Sequence, residues 1–568
     1  MRLYTYKSKS NTILYMIKSF RNEKGKNTSK IIEKLGTIEE VKEKANGEDP
    51  IIWAKNYIAQ KTKEEQENHA IYYQKFIEGK PLDASQKLFN IGYLFLQRIY
   101  NSLNLSSICN KISKKYKFEF DLNKILQDLI YTRILYPSSK LSSFESAMNF
   151  IEKPNYQLHD IYRALEFISK ESDFIQAELY KNSLNVINRN NKVLYYDCTN
   201  YFFEVEQEDG LKQYGVSKEH RPNPIVQMGL LMDGNGIPLA FVLNPGNTNE
   251  QTTLKPLEKQ ILKDFNLAEF IICTDAGLSS IDNRKFNSIE NRSFIVTHSI
   301  KKSKEHIKQW ALSPDGWHTL ANPKKEINLN SIKNNPSNDT IYYKERWINE
   351  NNLEQRLIVS YSPKYAEYQK NIRNKQIERA QKFINNPYKI NSFKQTDFKR
   401  FINITKVTND GEIANKPIFS LNSMTIENES KFDGFYAVCT TLEDNISEII
   451  KVNKNRWEIE ESFRILKTEF KSRPVYLQRD DRITAHFTTC FIALTIFRIL
   501  EKKIDSKFSY EKIIETLKNM KTHKIEGLGY QQLYSSSEIT SNLNKTFKIA
   551  LDQEFISNKN MKKILNEK

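Results

Sequence analysis

Arg456, Glu460 and Lys467 stand at successive spacings of four and seven residues in the segment Asn455-Arg456-Trp457-Glu458-Ile459-Glu460-Glu461-Ser462-Phe463-Arg464-Ile465-Leu466-Lys467. At about 100° per residue, four steps make about one helical turn and seven about two, so all three project from one helix face. A carboxylate flanked by two cations on one ridge can hold a metal ion while its neighbours hold phosphates. Two isolated aspartates close apolar runs upstream: Asp197 after Val193-Leu194-Tyr195-Tyr196, and Asp275 after Phe270-Ile271-Ile272-Cys273-Thr274. Two strand-end aspartates and a late helical glutamate suggest metal-dependent phosphoryl transfer. Magnesium takes oxygen ligands, usually one or two carboxylates with phosphates and water. A pair of such ions about 3.5–4 Å apart can activate an attacking oxygen and stabilise a leaving one.

Each residue also has a plainer reading. A strand-end aspartate is often a turn former or helix cap, and Asp275 before Ala276-Gly277 fits that role. Arg456 and Glu460 as a lone i,i+4 pair are a surface ion pair of a few tenths of a kcal/mol. Glu458 and Glu461 compete with Glu460 but point to other faces. Trp457 and Phe463 read as core packing. The joint pattern is what favours chemistry.

Positioning these groups requires a sheet and a late helix. Strands are expected at Val193–Asp197, Tyr201–Val205, Ile225–Met232, Pro238–Leu243, Phe270–Asp275 and Phe294–Thr297. Asp233-Gly234-Asn235-Gly236 supplies a hairpin turn, and a helix is expected from Glu250 to Asp264. Ligands of open sheets gather at carboxyl ends of strands. The expected fold is an α/β core, a mixed sheet with flanking helices. A β-rich insertion interrupts it, and a mainly helical region precedes it. The expected boundaries are a small β-rich unit over 1–45, a helical DNA-end-binding region over 46–190 and the first part of the core over 191–300. The β-rich insertion follows over 301–430, the second part of the core with the Glu460 helix over 431–505, and a helical tail over 506–568. In the first unit, Asn22-Glu23-Lys24-Gly25-Lys26 has turn chemistry, and Ile31 to Gly36 is either a strand or a short helix. Lys111, Lys114, Lys115 and Lys117 form a basic cluster suited to reading DNA or to a solvated scaffold face.

The whole composition is compatible with this. A chain of 568 residues, 39% hydrophobic, can bury a sizeable core and has room for about three or four domains. Lys and Arg total 86 against 69 Asp and Glu, a net charge of +17. Such a surplus suits a polyanion such as nucleic acid, or simply a basic protein. The cysteines Cys109, Cys198, Cys273, Cys439 and Cys490 form no paired motif, which fits a reducing cytosol. The run Phe487–Leu500 is too short and too polar to span a bilayer and reads as a buried helix. No membrane partner is expected.

From Val193 to Leu477 the chain resembles DDE-class insertion-sequence transposases, the group with a β-rich insertion and a Tyr-x2-Arg-x3-Glu-x6-Lys motif. The resemblance is carried by Tyr195-Tyr196-Asp197-Cys198-Thr199, Thr274-Asp275-Ala276-Gly277, Asp433-Gly434, Arg456-Trp457-x-Ile459-Glu460-x-x-Phe463-Arg464-x-x-Lys467 and Ser472-Arg473-Pro474-Val475-Tyr476. It implies an RNase H-like core and two Mg²⁺ ions, replaceable by Mn²⁺, held by Asp197, Asp275 and Glu460. Arg456, Lys467, Arg464 and Asn453 would contact DNA phosphates. The motif tyrosine falls at Asn453, the one departure. The implied partners are double-stranded DNA, as terminal inverted repeats and as target, and a second copy on DNA. The implied setting is the bacterial cytoplasm at the nucleoid. Two other functions stay open: a non-catalytic DNA-binding derivative, and a Mg²⁺-dependent nuclease that does not rejoin.

Overall fold

The computed structural model describes residues 1–7, 11–21, 27–45, 47–68, 72, 78, 86–332, 339–386, 397–407 and 413–567. The turn expected at 22–26 lies outside them. The chain separates into two compact units, Met1–Gln86 and Lys87–Lys568. In the first, β1 (Arg2–Lys7), β2 (Thr12–Arg21) and β3 (Asn27–Thr37) form an antiparallel meander. The stretch Ile31–Gly36 is part of β3. Thr37 then caps the helix Ile38–Lys44: its hydroxyl accepts from the Glu40 N–H while the Glu40 carboxylate accepts from the Thr37 N–H. Leu14, Met16, Leu35, Val41, Ala54 and Ile58 form the small core of this unit.

The second unit opens with β4 (Leu88–Asn90) and the helices Tyr93–Ser102, Leu105–Tyr116, Leu122–Leu135, Lys140–Ala147, Leu158–Lys170 and Ser172–Ser183. Then come β5 (Val193–Phe202), β6 (Ile225–Asp233), β7 (Pro238–Pro245), the helix Leu254–Asp264, β8 (Phe270–Thr274) and β9 (Arg292–His298). Next are β10 (His318–Thr319), β11 (Tyr342–Glu350), β12 (Leu353–Tyr361), the helix Pro363–Asn385, β13 (Ile402–Val407), β14 (Ile413–Leu421) and β15 (Phe435–Thr440). The helices Ile446–Lys454, Trp457–Arg464 and Asp480–Lys503 follow, and the chain closes with β16 (Lys521–Ile525), β17 (Gly529–Gln532) and β18 (Phe555–Ser557) among short helices.

Nine strands make one mixed sheet in the order β10-β11-β12-β15-β9-β8-β5-β6-β7. Among the described residues the pairs β5–β8 and β8–β9 are parallel, and the other pairs of this sheet are antiparallel. Every residue of β6 is buried, as expected of a strand covered on both faces. One cover is the helix Asp480–Lys503, long and apolar enough to cross a membrane but packed against four earlier helices and β7.

Three expectations change. The strands read separately at Val193 and Tyr201 are one, so Asp197 sits inside β5 rather than at its end. The 301–430 block does not loop out as a separate domain. Its β10, β11 and β12 extend the core sheet through β15, and only β13 and β14 form a sheet apart. The outer half of β11, Glu345-Arg346-Trp347-Ile348-Asn349-Glu350, is partly exposed and polar, which hides its membership of a core sheet. The tail is not wholly helical: β16–β18 pair with β4 in a four-stranded sheet. Short strands such as Lys521–Ile525 carry little apolar alternation for a pattern to register.

The register of β5 on β6 ends at the pair Leu194↔Asp233, and a buried ion pair holds it there. Asp233 Oδ2 accepts from Arg189 Nε at 2.7 Å, with both side chains fully buried. Asp233 Oδ1 accepts from the N–H groups of Asn235 and Ile237 across the hairpin. Arg189 also donates to Ser183 Oγ and to the carbonyls of Ile237 and Pro238. Removing one partner strands the other charge, which costs about 3–5 kcal/mol. Asp233→Ala is expected to lower unfolding stability by that amount in urea titrations, and Asp233→Asn by less.

Candidate active site

The parallel pairing of β5 with β8 ends at Tyr196↔Thr274. The next residue on each strand is Asp197 and Asp275, so the two carboxylates stand side by side at about the 4.8 Å strand spacing. Along β5, alternate residues share a face. On Asp197's face, the Tyr195 hydroxyl donates to the Val452 carbonyl (3.0 Å) and Thr199 Oγ1 accepts from Lys467 Nζ (2.5 Å). Asp197 lies between these contacts, beneath the helices Ile446–Lys454 and Trp457–Arg464. On the other face, Tyr196 and Cys198 meet Thr253.

Arg456 is the cation these carboxylates share. Its Nη2 is 3.2 Å from Glu460 Oε1, and its side chain is only 18% exposed. Burial works against its charge, but Asp275, Asp197, Glu460 and Tyr436 together hold its pKa above the ordinary value. Burial pushes the Asp197 carboxyl up to about 6, against the opposing pull of Lys218. Glu458 is turned away onto Arg498 and Lys502, and Glu461 onto Arg464. Of the three glutamates, Glu460 alone is paired with Arg456.

The other expected site residues divide. A π turn over Ile465–Glu469 follows the Glu460 helix, so the straight ridge drawn from Arg456 to Lys467 is broken. Lys467 still reaches Thr199, and burial together with Lys218 pushes its ammonium down to about 8. Arg464 is not brought to the carboxylate triad. Its partners are Glu461 at 2.7 Å, Glu469 at 3.1 Å and Glu511 at 3.3 Å, the last from a later helix. Asn453 is buried; its Nδ2 donates to the Tyr436 hydroxyl (3.0 Å), which also bonds Thr297 (2.7 Å). Its amide thus holds β15 to the helix rather than facing solvent. Of the basic cluster, Lys111 and Lys115 are paired with Glu178 and Glu171 at 2.6 and 2.5 Å.

Three participants carried no signal in the spacing. Lys218, from the loop after β5, donates to the Cys198 carbonyl and pairs with Glu250 at 3.0 Å, beside Asp197. Tyr436 reaches Arg456 from β15. Its approach depends on Gly434 at φ +82°, where a Cβ would fall 2.7 Å from both Ala366 and Tyr361. Trp457, expected in the core, is 56% exposed, whereas Phe463 is buried as expected. Trp457, Tyr365, Tyr368 and Tyr436 line a cleft of about 580 Å³ that opens beside Arg456 and Glu460.

The donor chemistry fits a hard divalent cation. Asp197 Oδ1 accepts from the Cys198 N–H (2.8 Å) and Asp275 Oδ1 from the Ala276 N–H (2.6 Å). Among the described residues neither Oδ2 has a hydrogen-bond partner. Among them too, no three Asp, Glu, His or Cys side chains are gathered as an ion cage; Arg456 is in contact with Glu460 and feels the charges of Asp197 and Asp275.

Residues 201–496 match the transposase DDE domain family, and the chain belongs to that family. The matched span contains Asp275 and Glu460 and begins just beyond Asp197. The class is that of DNA transposases, whose chemistry is divalent-metal-dependent cleavage and transfer of DNA strands. Among solved structures, the cryo-EM structure of the piggyBac transposase synaptic complex with hairpin DNA aligns at TM-score 0.36 and 9% identity, covering 85% of this chain and 87% of that one. No curated protein matches.

Removing Arg456 leaves the carboxylates to repel one another. Arg456→Ala is expected to destabilise the metal-free chain by about 1–2 kcal/mol. Added Mg²⁺ should then raise the melting temperature of the variant more than that of the parent, as read by thermal unfolding with and without MgCl₂.

Proposed function

We propose that the chain is the transposase of a bacterial insertion sequence, which cleaves phosphodiester bonds at the element ends and joins the freed ends to target DNA. The observation that carries this reading is the placement of Asp197 and Asp275 just after the last paired positions of the parallel strands β5 and β8, with Arg456, paired to Glu460, within the electrostatic reach of both. The strand order β7-β6-β5-β8-β9, with β5, β8 and β9 parallel, supports an RNase H-like core.

In this reading Asp197, Asp275 and Glu460 hold two Mg²⁺ ions, for which Mn²⁺ can substitute. When bound, these ions supply activation of the attacking oxygen and stabilisation of the leaving oxygen. The chain's own residues position the DNA. Arg456, released from the carboxylates, turns its guanidinium to a phosphate near the scissile bond, where planar bidentate contact is favourable. Lys467, oriented by Thr199, adds a second cation on the Asp197 side. In this enclosed site both act with less dielectric screening than on an open surface. The aromatic cleft of Trp457, Tyr365, Tyr368 and Tyr436 can stack a base adjoining the scissile phosphate, since base–aromatic stacking tolerates any sequence. The DNA partners are the terminal inverted repeats and the target duplex. Two ends acting together call for two copies of the chain on DNA, in the cytoplasm at the nucleoid.

Asp197→Ala, Asp275→Ala and Glu460→Ala are each expected to lower Mg²⁺-dependent nicking of an element-end duplex by about 10³-fold or more, with DNA binding retained in gel-shift titrations. EDTA should abolish nicking by the parent chain. Undiminished nicking by any one variant removes that residue from the metal site. Nicking without joining identifies a nuclease, and end binding with no cleavage in Mg²⁺ or Mn²⁺ identifies a DNA-binding derivative.

A further inference from the structure

Away from the carboxylates, a second cavity of about 550 Å³ lies where the turn before the helix Lys140–Ala147 meets the segment Lys471–Leu477 and the helix Asp480–Lys503. Arg133, Lys140, Lys471, Arg473 and His486 line it, and no lining residue is acidic. Two of these cations are buried deeply: Arg133 is 3% exposed and Lys140 5%. The Lys140 ammonium has no hydrogen-bond partner, and neither has Arg133 Nε. The remaining Arg133 donors go to the carbonyls of Phe470 (3.0 Å) and Ser138 (3.1 Å), which fixes the guanidinium in place.

The electrostatics are one-sided. Burial pushes the Lys140 amine down to about 7; Arg133 lowers it further, and only the Cys490 thiol opposes them. Burial also holds His486 well below its ordinary value, and its charged neighbours are Arg133 and Lys140. No carboxylate is among the groups acting on either. Arg473 does have a partner in Glu219, so the uncompensated charge belongs to Arg133 and Lys140. A buried, unpaired cation is strongly destabilising, and two side by side are more so. Lys140 is also the first residue of its helix, with Ser139 as the cap, and a helix N-terminus favours an anion. The unpartnered donors and the helix N-terminus both favour an anion with several acceptor oxygens.

We infer that this cavity is a phosphate-binding site in which Lys140 and Arg133 hold a backbone phosphate of bound DNA away from the scissile bond. The distance suits that role. Val475 N–H donates to the carbonyl of Phe202, at the far end of the strand that carries Asp197. Five residues of strand span about 17 Å, and one DNA strand advances about 3.4 Å per nucleotide. For a duplex running along β5, that span corresponds to about five base pairs. A phosphate held there sets the register of the duplex on the enzyme and carries no sequence information. Assigning the phosphate to DNA rests on the transposase reading; the binding of phosphate itself does not.

The test uses the full chain, Lys140→Met and Lys140→Arg, with two probes. Inorganic phosphate is added to a phosphate-free buffer at constant ionic strength and thermal unfolding is followed. Duplex DNA affinity is measured across a salt series. The expected result is that phosphate raises the melting temperature of the parent and of Lys140→Arg but not of Lys140→Met. Lys140→Met should also bind DNA about tenfold more weakly, with its salt slope reduced by about one. Equal stabilisation of parent and Lys140→Met by phosphate, or none of either, overturns the site. Stabilisation confined to the parent and Lys140→Arg, with an unchanged DNA salt slope, overturns the DNA assignment and leaves a site for free phosphate. If the parent does not bind DNA at all, the transposase reading fails and the phosphate arm alone decides the cavity.

Discussion

The pairing of β5 with β8 is the constraint on which the site depends. Parallel neighbours place consecutive residues in fixed lateral relation, so the pair Tyr196↔Thr274 obliges Asp197 and Asp275 to stand together. A slip of one residue would turn Asp197 to the opposite face, toward Thr253 and away from the Glu460 helix. The register is guarded on the β6 side by the buried Arg189–Asp233 pair, and on the active face by Tyr195 and Thr199, which grip Val452 and Lys467. Packing that looks purely structural therefore determines whether two carboxylates share a site.

Gathering carboxylates raises their mutual repulsion, and the protein answers with cations from separate elements. Arg456 comes from the start of one helix, Lys467 from the π turn after it, and Lys218 from the loop after β5. Arg456 is paired with Glu460 and stabilised by the charges of Asp275 and Asp197, whereas Lys467 is partly desolvated and is held by a hydroxyl. The cavity around Lys140 inverts this balance, with cations gathered and no carboxylate supplied. The two places are opposite in charge, carboxylates at one and cations at the other.

Much of the site was legible in the residues. Asp197, Asp275, Glu460 and Arg456 were all marked by their place after apolar runs or by helical spacing; in the structure Asp197 and Asp275 follow paired positions of β5 and β8, and Arg456 pairs with Glu460. Spacing failed where its assumption of a uniform helix failed. The π turn broke the ridge before Lys467, and the later Glu511 helped claim Arg464. Asn453 looked like a weakened phosphate contact. It is instead a buried amide tied to Tyr436, a residue with no sequence relation to it. The insertion was read as β-rich but its placement was misjudged, because the pairing of β12 with β15 that joins β10–β12 to the core sheet is a long-range contact that no local pattern records.

The sequence by itself determined the chemical class, because three acidic residues and their cationic flank are properties of residue type and local spacing. It also determined the central strands, whose apolar runs can be stable only when buried. Only the tertiary structure decided that Asp197 lies within a strand, that Arg456 is buried beside Glu460 within reach of both aspartates' charges, and that Trp457 faces a cleft. It alone brought Arg133, Lys140 and His486 to one cavity. These are decisions of long-range pairing and desolvation. They depend on which distant groups exclude water from a side chain, and no local pattern records that.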